Sequence, residues 1–128
     1  MKRLILTATL LSSLFAKSQN LVGVSRQDIE FIAKTEHWKT TTATTKNGVP
    51  FIEVDDVDSY KFYYFKDGIC AIYLVFYNKI NSDEIKKVLD ATYSKQDNNV
   101  WYTDNTVIDL AYDEILNGYF VKYKLIKK

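Results

Sequence analysis

Two rhythms of apolar residues divide the chain. At Ile29, Ile32 and Ala33, and again at Ile85, Val88, Leu89 and Thr92, the spacing is that of one face of a helix. Each stripe has a start signal in front of it. Ser25 can cap the first helix with Asp28 three residues on, and Val24 can pack on Ile29 as a hydrophobic staple. Asn81 and Glu84 repeat the device for the second helix, with Ile80 and Ile85 as the staple. Phe31 falls on the far side of the first stripe. The first helix should end between Glu36 and Trp38, where a β-branched run begins. His37 then meets the negative end of the helix dipole.

Elsewhere, alternation punctuated by turn pairs predicts strands. Asn47-Gly48 favours a two-residue hairpin turn, because both positions tolerate positive φ. It sets Ala43 opposite Ile52 and Lys39 opposite Asp56. Asp67-Gly68 joins 60–66 to 69–77, and Asp104-Asn105 puts Trp101 opposite Ile108. Asn117-Gly118 places Tyr112 opposite Tyr123, Leu110 opposite Leu125 and Asp113 opposite Lys122, so that apolar residues meet on one face and a charge pair on the other. Residues 93–99 read as a loop. The sum is an α+β fold of two layers: an antiparallel sheet of about seven strands with two helices on one face, in the order α-β4-α-β3. Each half runs from a helix into a meander, as two diverged copies of one unit would.

The hairpin YKFYYFKDGICAIYLVFY, Tyr60 to Tyr77, is apolar on both faces. In the Asp67-Gly68 register one face carries Tyr63, Phe65, Cys70, Ile72, Leu74 and Phe76, the more fully apolar set, which is the choice for the helix-covered core. The other carries Tyr60, Phe62, Tyr64, Ala71, Tyr73, Val75 and Tyr77. Two helical stripes cover one side of a sheet, so this second face has nothing left to cover it. Contiguous exposed aromatics often mark a contact site. Tyr60, Phe62, Tyr64, Tyr73 and Tyr77 are therefore the candidate binding surface, with Phe31 as a rival anchor on the helical layer. A protein partner, a second copy of the chain, and simple cross-strand packing are the three readings of the patch.

Composition narrows the compartment and the partner. The first residues, MKRLILTATLLSSLFAKSQN, run from basic Lys2 and Arg3 through an apolar stretch to small residues at Ala16 and Ser18, the order of a secretory signal peptide. The apolar stretch is shorter than the roughly 20 residues that span a bilayer. The expectation is a leader over 1–18 and a single domain over 19–128, exported to the periplasm or secreted, and not membrane-spanning. Removing the leader leaves 14 basic against 16 acidic residues, a net charge of −2. That gives no basic excess for a nucleic acid. Aromatic residues make up 15% of the chain and ten of them are Tyr, a residue that brings a large ring with a polar tip to contact surfaces.

Candidate chemistry is sparse. Cys70 is the only cysteine and sits among apolar neighbours, so it reads as a buried, inert thiol with no disulfide. His37 is the only histidine, which excludes a histidine metal cluster within one chain. Glu53, Asp55, Asp56 and Asp58 gather carboxylates, but their spacing is not that of a calcium loop, and a solvated turn accounts for them. No catalytic, cofactor-binding or metal-binding residue is expected.

The leader ending FAKSQN, the capped helix SRQDIEFIAKTEHW, the hairpin YYFKDGICAIYLVFY and the second helix NSDEIKKVLDATY together resemble the small, exported, single-domain Bacteroidetes proteins of unassigned function. In layout the two helix-plus-meander units are similar to the β-lactamase inhibitory proteins and, more loosely, to cystatin-like and PepSY-like periplasmic domains. That resemblance implies binding or inhibition of proteins, as an analogy of fold. The function expected is an exported, non-catalytic binding module of inhibitory or immunity type. A carrier of an apolar ligand or lipid, lined by aromatics between sheet and helices, is the alternative, and a small hydrolase is third. Intact-mass measurement of the native protein should give a chain beginning at or near Gln19. A mass that retains residues 1–18 would remove the export reading.

Overall fold

The structure is a computed structural model and describes residues 20–55, 59–77 and 82–126. The expected leader, the cap and staple at Asn81 and Ile80, and Asp56 and Asp58 lie outside the described residues. Within them the order is α1 (Arg26–Thr35), β1 (Lys39–Thr44), β2 (Pro50–Asp55), β3 (Ser59–Lys66), β4 (Ile69–Tyr77), α2 (Ser82–Thr92), β5 (Ser94–Asp97), β6 (Val100–Tyr102), β7 (Thr106–Asp113) and β8 (Gly118–Leu125). All eight strands form one antiparallel sheet in the order β1-β2-β3-β4-β8-β7-β6-β5. The described fold is α+β, with eight strands rather than about seven.

Local chemistry sets the element ends. The Ser25 hydroxyl accepts from the Asp28 amide at 3.1 Å, which caps α1. At the other end His37 turns left-handed, with φ 59°, and the Trp38 amide donates to the Ala33 carbonyl at 2.8 Å. The chain entering α1 also extends the sheet. Gly23 donates to the Cys70 carbonyl and Cys70 donates to the Val24 carbonyl, at 2.8 and 2.9 Å. Asp67 and Gly68 both have positive φ, as a two-residue turn between β3 and β4 requires.

Three expected registers change. Asn47 does not adopt positive φ; only Gly48 does, at 84°. The hairpin closes around three residues, with the Thr45 amide donating to Val49 and the Gly48 amide donating to Thr45, each at 2.9 Å. Ala43 therefore faces Phe51, and Lys39 faces Asp55, with which it makes an ion pair at 4.0 Å. Between β7 and β8 the loop has four residues. The Asp113 carboxylate accepts from the Leu116 amide at 3.0 Å, and Asn117 alone turns left-handed there. Leu110 consequently faces Val121, and Lys122 faces Asp109. Residues 94–97 form β5 rather than a loop. All four of its residues are exposed, so no alternation marks them.

The third change decides the faces. Tyr64 pairs with Ile72 and Phe65 with Cys70, which leaves Ala71 as a β-bulge without a partner on β3. Past the bulge the alternation is inverted. Tyr73, Val75 and Tyr77 are buried, and Ile72, Leu74 and Phe76 lie on the opposite face. This corrects the assignment of Tyr73 and Tyr77 to the uncovered face. On β3 the expected faces hold: Tyr63 and Phe65 are buried.

The buried cluster joins Ile29 of α1 and Ile85 and Leu89 of α2 to Ile52, Tyr63, Tyr73, Val75, Val121, Tyr123, Ile108 and Trp101 of the sheet. Its centre is a run of stacked rings. Trp38 lies over Tyr63 at 6.1 Å, Tyr63 over Tyr73 at 4.4 Å and Tyr73 over Tyr123 at 5.1 Å. The Trp101 indole donates to the Asp90 carboxylate at 2.8 Å and ties α2 to β6. The hydroxyls of Tyr63 and Tyr73 are buried with each other as polar neighbours, and neither makes a well-formed hydrogen bond among the described residues. Desolvation raises the hydroxyls of Tyr63, Tyr73 and Tyr123 above the ordinary 10.0.

Truncation should separate the faces. Tyr73→Ala should cost about 3–5 kcal/mol and Leu110→Ala about 2–5, as buried truncations do. Phe62→Ser, on the half-buried face, should cost about 1–2 kcal/mol from lost cross-strand ring pairs. Urea melts of the three variants check the order; a larger loss for Phe62→Ser than for Tyr73→Ala would place the bulge elsewhere.

Alkali should unfold the domain. Burial pushes the Cys70 thiol up from 9.0 to about 12 and raises the core tyrosines in the same direction. The folded state then keeps protons that the unfolded chain loses, so this stabilisation is complete below about pH 9 and falls as pH rises beyond it. Phenolate absorbance and circular dichroism, followed together, should show the last tyrosines ionising only as the sheet melts. Full ionisation with the native spectrum retained would contradict a closed core.

Candidate functional site

The face opposite the buried cluster is built by β2, β3, β4 and β8. Cross-strand register arranges it in three rows. The middle row reads Glu53, Phe62, Leu74, Lys122 and Asp109. The row toward the Asp67-Gly68 turn reads Phe51, Tyr64, Ile72, Lys124 and Val107. The row toward the other end reads Asp55, Tyr60, Phe76, Phe120 and Ala111. The centre of the array is apolar, with carboxylates on the β2 flank and lysines on β8.

The rings on this face touch in an unbroken chain across four strands. Tyr64 meets Phe51 at 5.4 Å, Phe51 meets Phe62 at 6.3 Å, Phe62 meets Phe76 edge-on at 6.0 Å and Phe76 meets Phe120 at 5.3 Å. Each ring shields its neighbour, so these side chains are half-buried, while Tyr60 is 42% exposed. Burial, and then the charge of Glu53, raises the Tyr64 hydroxyl. Two concavities open on the array. One of about 280 Å³ lies among Tyr60, Phe62, Phe76, Leu116 and Tyr119. Beside it the β7–β8 loop holds Ile115 at 94% and Leu116 at 61% exposure, where a turn would ordinarily carry polar residues. The other, of about 900 Å³, lies beside the bulge among Ile69, Ala71, Ile72, Val107 and Leu125, with Lys66 and Lys124 lining it too.

Of the residues read from the sequence as a surface, Tyr60, Phe62 and Tyr64 share this face. Tyr73 is fully buried and Tyr77 is 9% exposed, both in the core. Phe31 is 70% exposed on α1, where Ile29 and Ala33 are the buried residues, and it does not join the array. Phe51, Ile72, Leu74, Phe76 and Phe120 were missed as surface residues. Alternation within PFIEVD separates Phe51 and Glu53 from Ile52 and Val54, so Phe51 was within reach of the sequence. Nothing local marks Ala71 as the bulge that turns the others outward.

Reactive groups stand apart from the array. Cys70 is buried, and its Sγ faces the Ile72 carbonyl at 3.5 Å. His37 is exposed at the end of α1. Among the described residues no three His, Cys, Asp or Glu side chains gather as a metal site would require, and no helix is long and apolar enough to cross a membrane. No protein family, curated protein or solved structure matches the chain.

Proposed function

We propose that the chain is an exported, non-catalytic binding module of inhibitory or immunity type, which holds a protein partner against the face of β2, β3, β4 and β8. The reading takes the fold as two layers, with both helices on the Tyr63–Tyr73–Tyr123 side and the array open on the other. One observation carries it: the chain of touching rings from Tyr64 to Phe120, apolar at the centre and charged at both flanks. That is the anatomy of a protein contact, in which a few aromatic anchors hold most of the energy and a polar rim excludes water.

A second reading has its own support. The concavity of about 900 Å³ has an apolar floor and is lined by Lys66, Lys124 and the carboxylate Asp67, so one positive charge is in excess, and it is of a size to hold a small amphipathic anion. In this reading the ligand would lie on the sheet surface rather than between sheet and helices, where stacked tyrosines fill the core.

The test is capture from an envelope fraction by the immobilised protein and its Leu74→Ser, Phe62→Ser and Phe31→Ser variants, with a thermal melt for each. Leu74→Ser and Phe62→Ser should lose a captured protein about tenfold or more while still folding, and Phe31→Ser should keep it. Retention by both sheet variants would end the protein-contact reading. Capture of lipid alone, lost on Lys124→Glu, would favour the carrier.

A further inference from the structure

We infer that a second copy of this chain docks on the same array, as a face-to-face dimer about a two-fold axis that runs parallel to the strands between β3 and β4. The inference rests on the reading of this face as a contact surface and names its resting occupant.

The middle row supplies the charge argument. An axis along the strands exchanges the β2 and β8 sides of the two copies. It carries Glu53 of each onto Lys122 of the other, and Phe62 of each onto Leu74 of the other. Asp109, beyond Lys122, then falls over the uncharged Thr41, which pairs with Glu53 on β1. In the other rows Tyr64 meets Ile72, Tyr60 meets Phe76, and Lys124 comes over the Phe51 ring as a cation can. Asp55 comes near Phe120, but its charge is already engaged by Lys39 at 4.0 Å. A two-fold axis across the strands instead sets Glu53 on Glu53 and Lys122 on Lys122. Like charges oppose that arrangement, and opposite charges, twice over, favour the first.

Size and geometry fit. Sheets that pack face to face keep their strands within about 30° of each other, so the outer rows shift while the middle row stays near the pivot. Three rows on four strands cover about 400 Å² of sheet, and their apolar positions make up about two thirds of it. With the charged flanks included, that is about half of the roughly 800 Å² per side of a standard interface, which suits a weak, concentration-dependent dimer. A partner protein must displace this copy, so dimerisation also sets the threshold for partner binding.

Sedimentation equilibrium of the purified protein tests the inference. Wild type should show a concentration-dependent dimer. Glu53→Lys and Lys122→Glu should each raise the dissociation constant about tenfold or more, and the double reversal should return it to within about threefold of wild type. Raised salt should blunt the single effects. If either reversal melts early, Glu53→Gln and Lys122→Gln take its place, each with a smaller weakening. A monomer at all concentrations, a dimer indifferent to both single variants, or a double reversal no better than the singles would overturn the inference. A foreign partner cannot be rescued by reversing both charges on this chain alone. Restored dimerisation without capture of any envelope protein would therefore sink the proposed function and leave the dimer standing.

Discussion

One unpaired residue decides what this sheet shows on each face. Ala71 has no partner on β3, and from there β4 presents the opposite side chains. Without the bulge, Tyr73, Val75 and Tyr77 would face outward, and Ile72, Leu74 and Phe76 would fill the core. With it, three flat rings stack across β3, β4 and β8 at 4.4 and 5.1 Å. Such stacking contributes about 0.5–1.5 kcal/mol per pair beyond area burial. Against this stand the buried, poorly satisfied hydroxyls of Tyr63 and Tyr73, at roughly 1–3 kcal/mol each. Beyond area burial the two ring pairs gain less than the hydroxyls lose, so burial of the ring faces and of the aliphatic side chains around them supplies the stability. The same inversion delivers Ile72, Leu74 and Phe76 to the outer face.

How far the sequence reaches follows from what each signal depends on. Helix stripes and the Ser25 cap are local, and α1 forms where they place it. Turn dipeptides are local too, but they do not state loop length. Asn117-Gly118 allowed a register four residues away from the true one. An even shift keeps every side chain on its face, so the agreement of apolar residues across β7 and β8 could not expose the error. The edge strand β5 has no buried side at all, and a strand without a buried side has no period to read.

The candidate surface was half legible for the same reason. Its β3 members lie before the bulge, and Tyr60, Phe62 and Tyr64 fall where alternation puts them. Its β4 members lie after it, so Tyr73 and Tyr77 were exchanged for Ile72, Leu74 and Phe76. A bulge leaves no composition of its own when its extra residue is an alanine. The presence of two apolar faces on this hairpin was visible throughout; which residues belonged to each required the register.

The strand order concentrates that second apolar face at the middle of the sheet. Each helix is followed by a four-strand meander, and the two meanders join through their last strands, β4 and β8. The outermost strands are then the first of each meander, KTTTAT and SKQD, exposed at every position. Polar, charged edges of this kind discourage growth of the sheet sideways. Association by extending the sheet is thus opposed at both ends, while the central strands hold the apolar surface on the outer face. The proposed contact through that face meets no such obstacle. Glu53 on one flank and Lys122 on the other would give the proposed contact a direction, since a surface of rings alone would bind in any orientation and a surface with two unlike flanks would not.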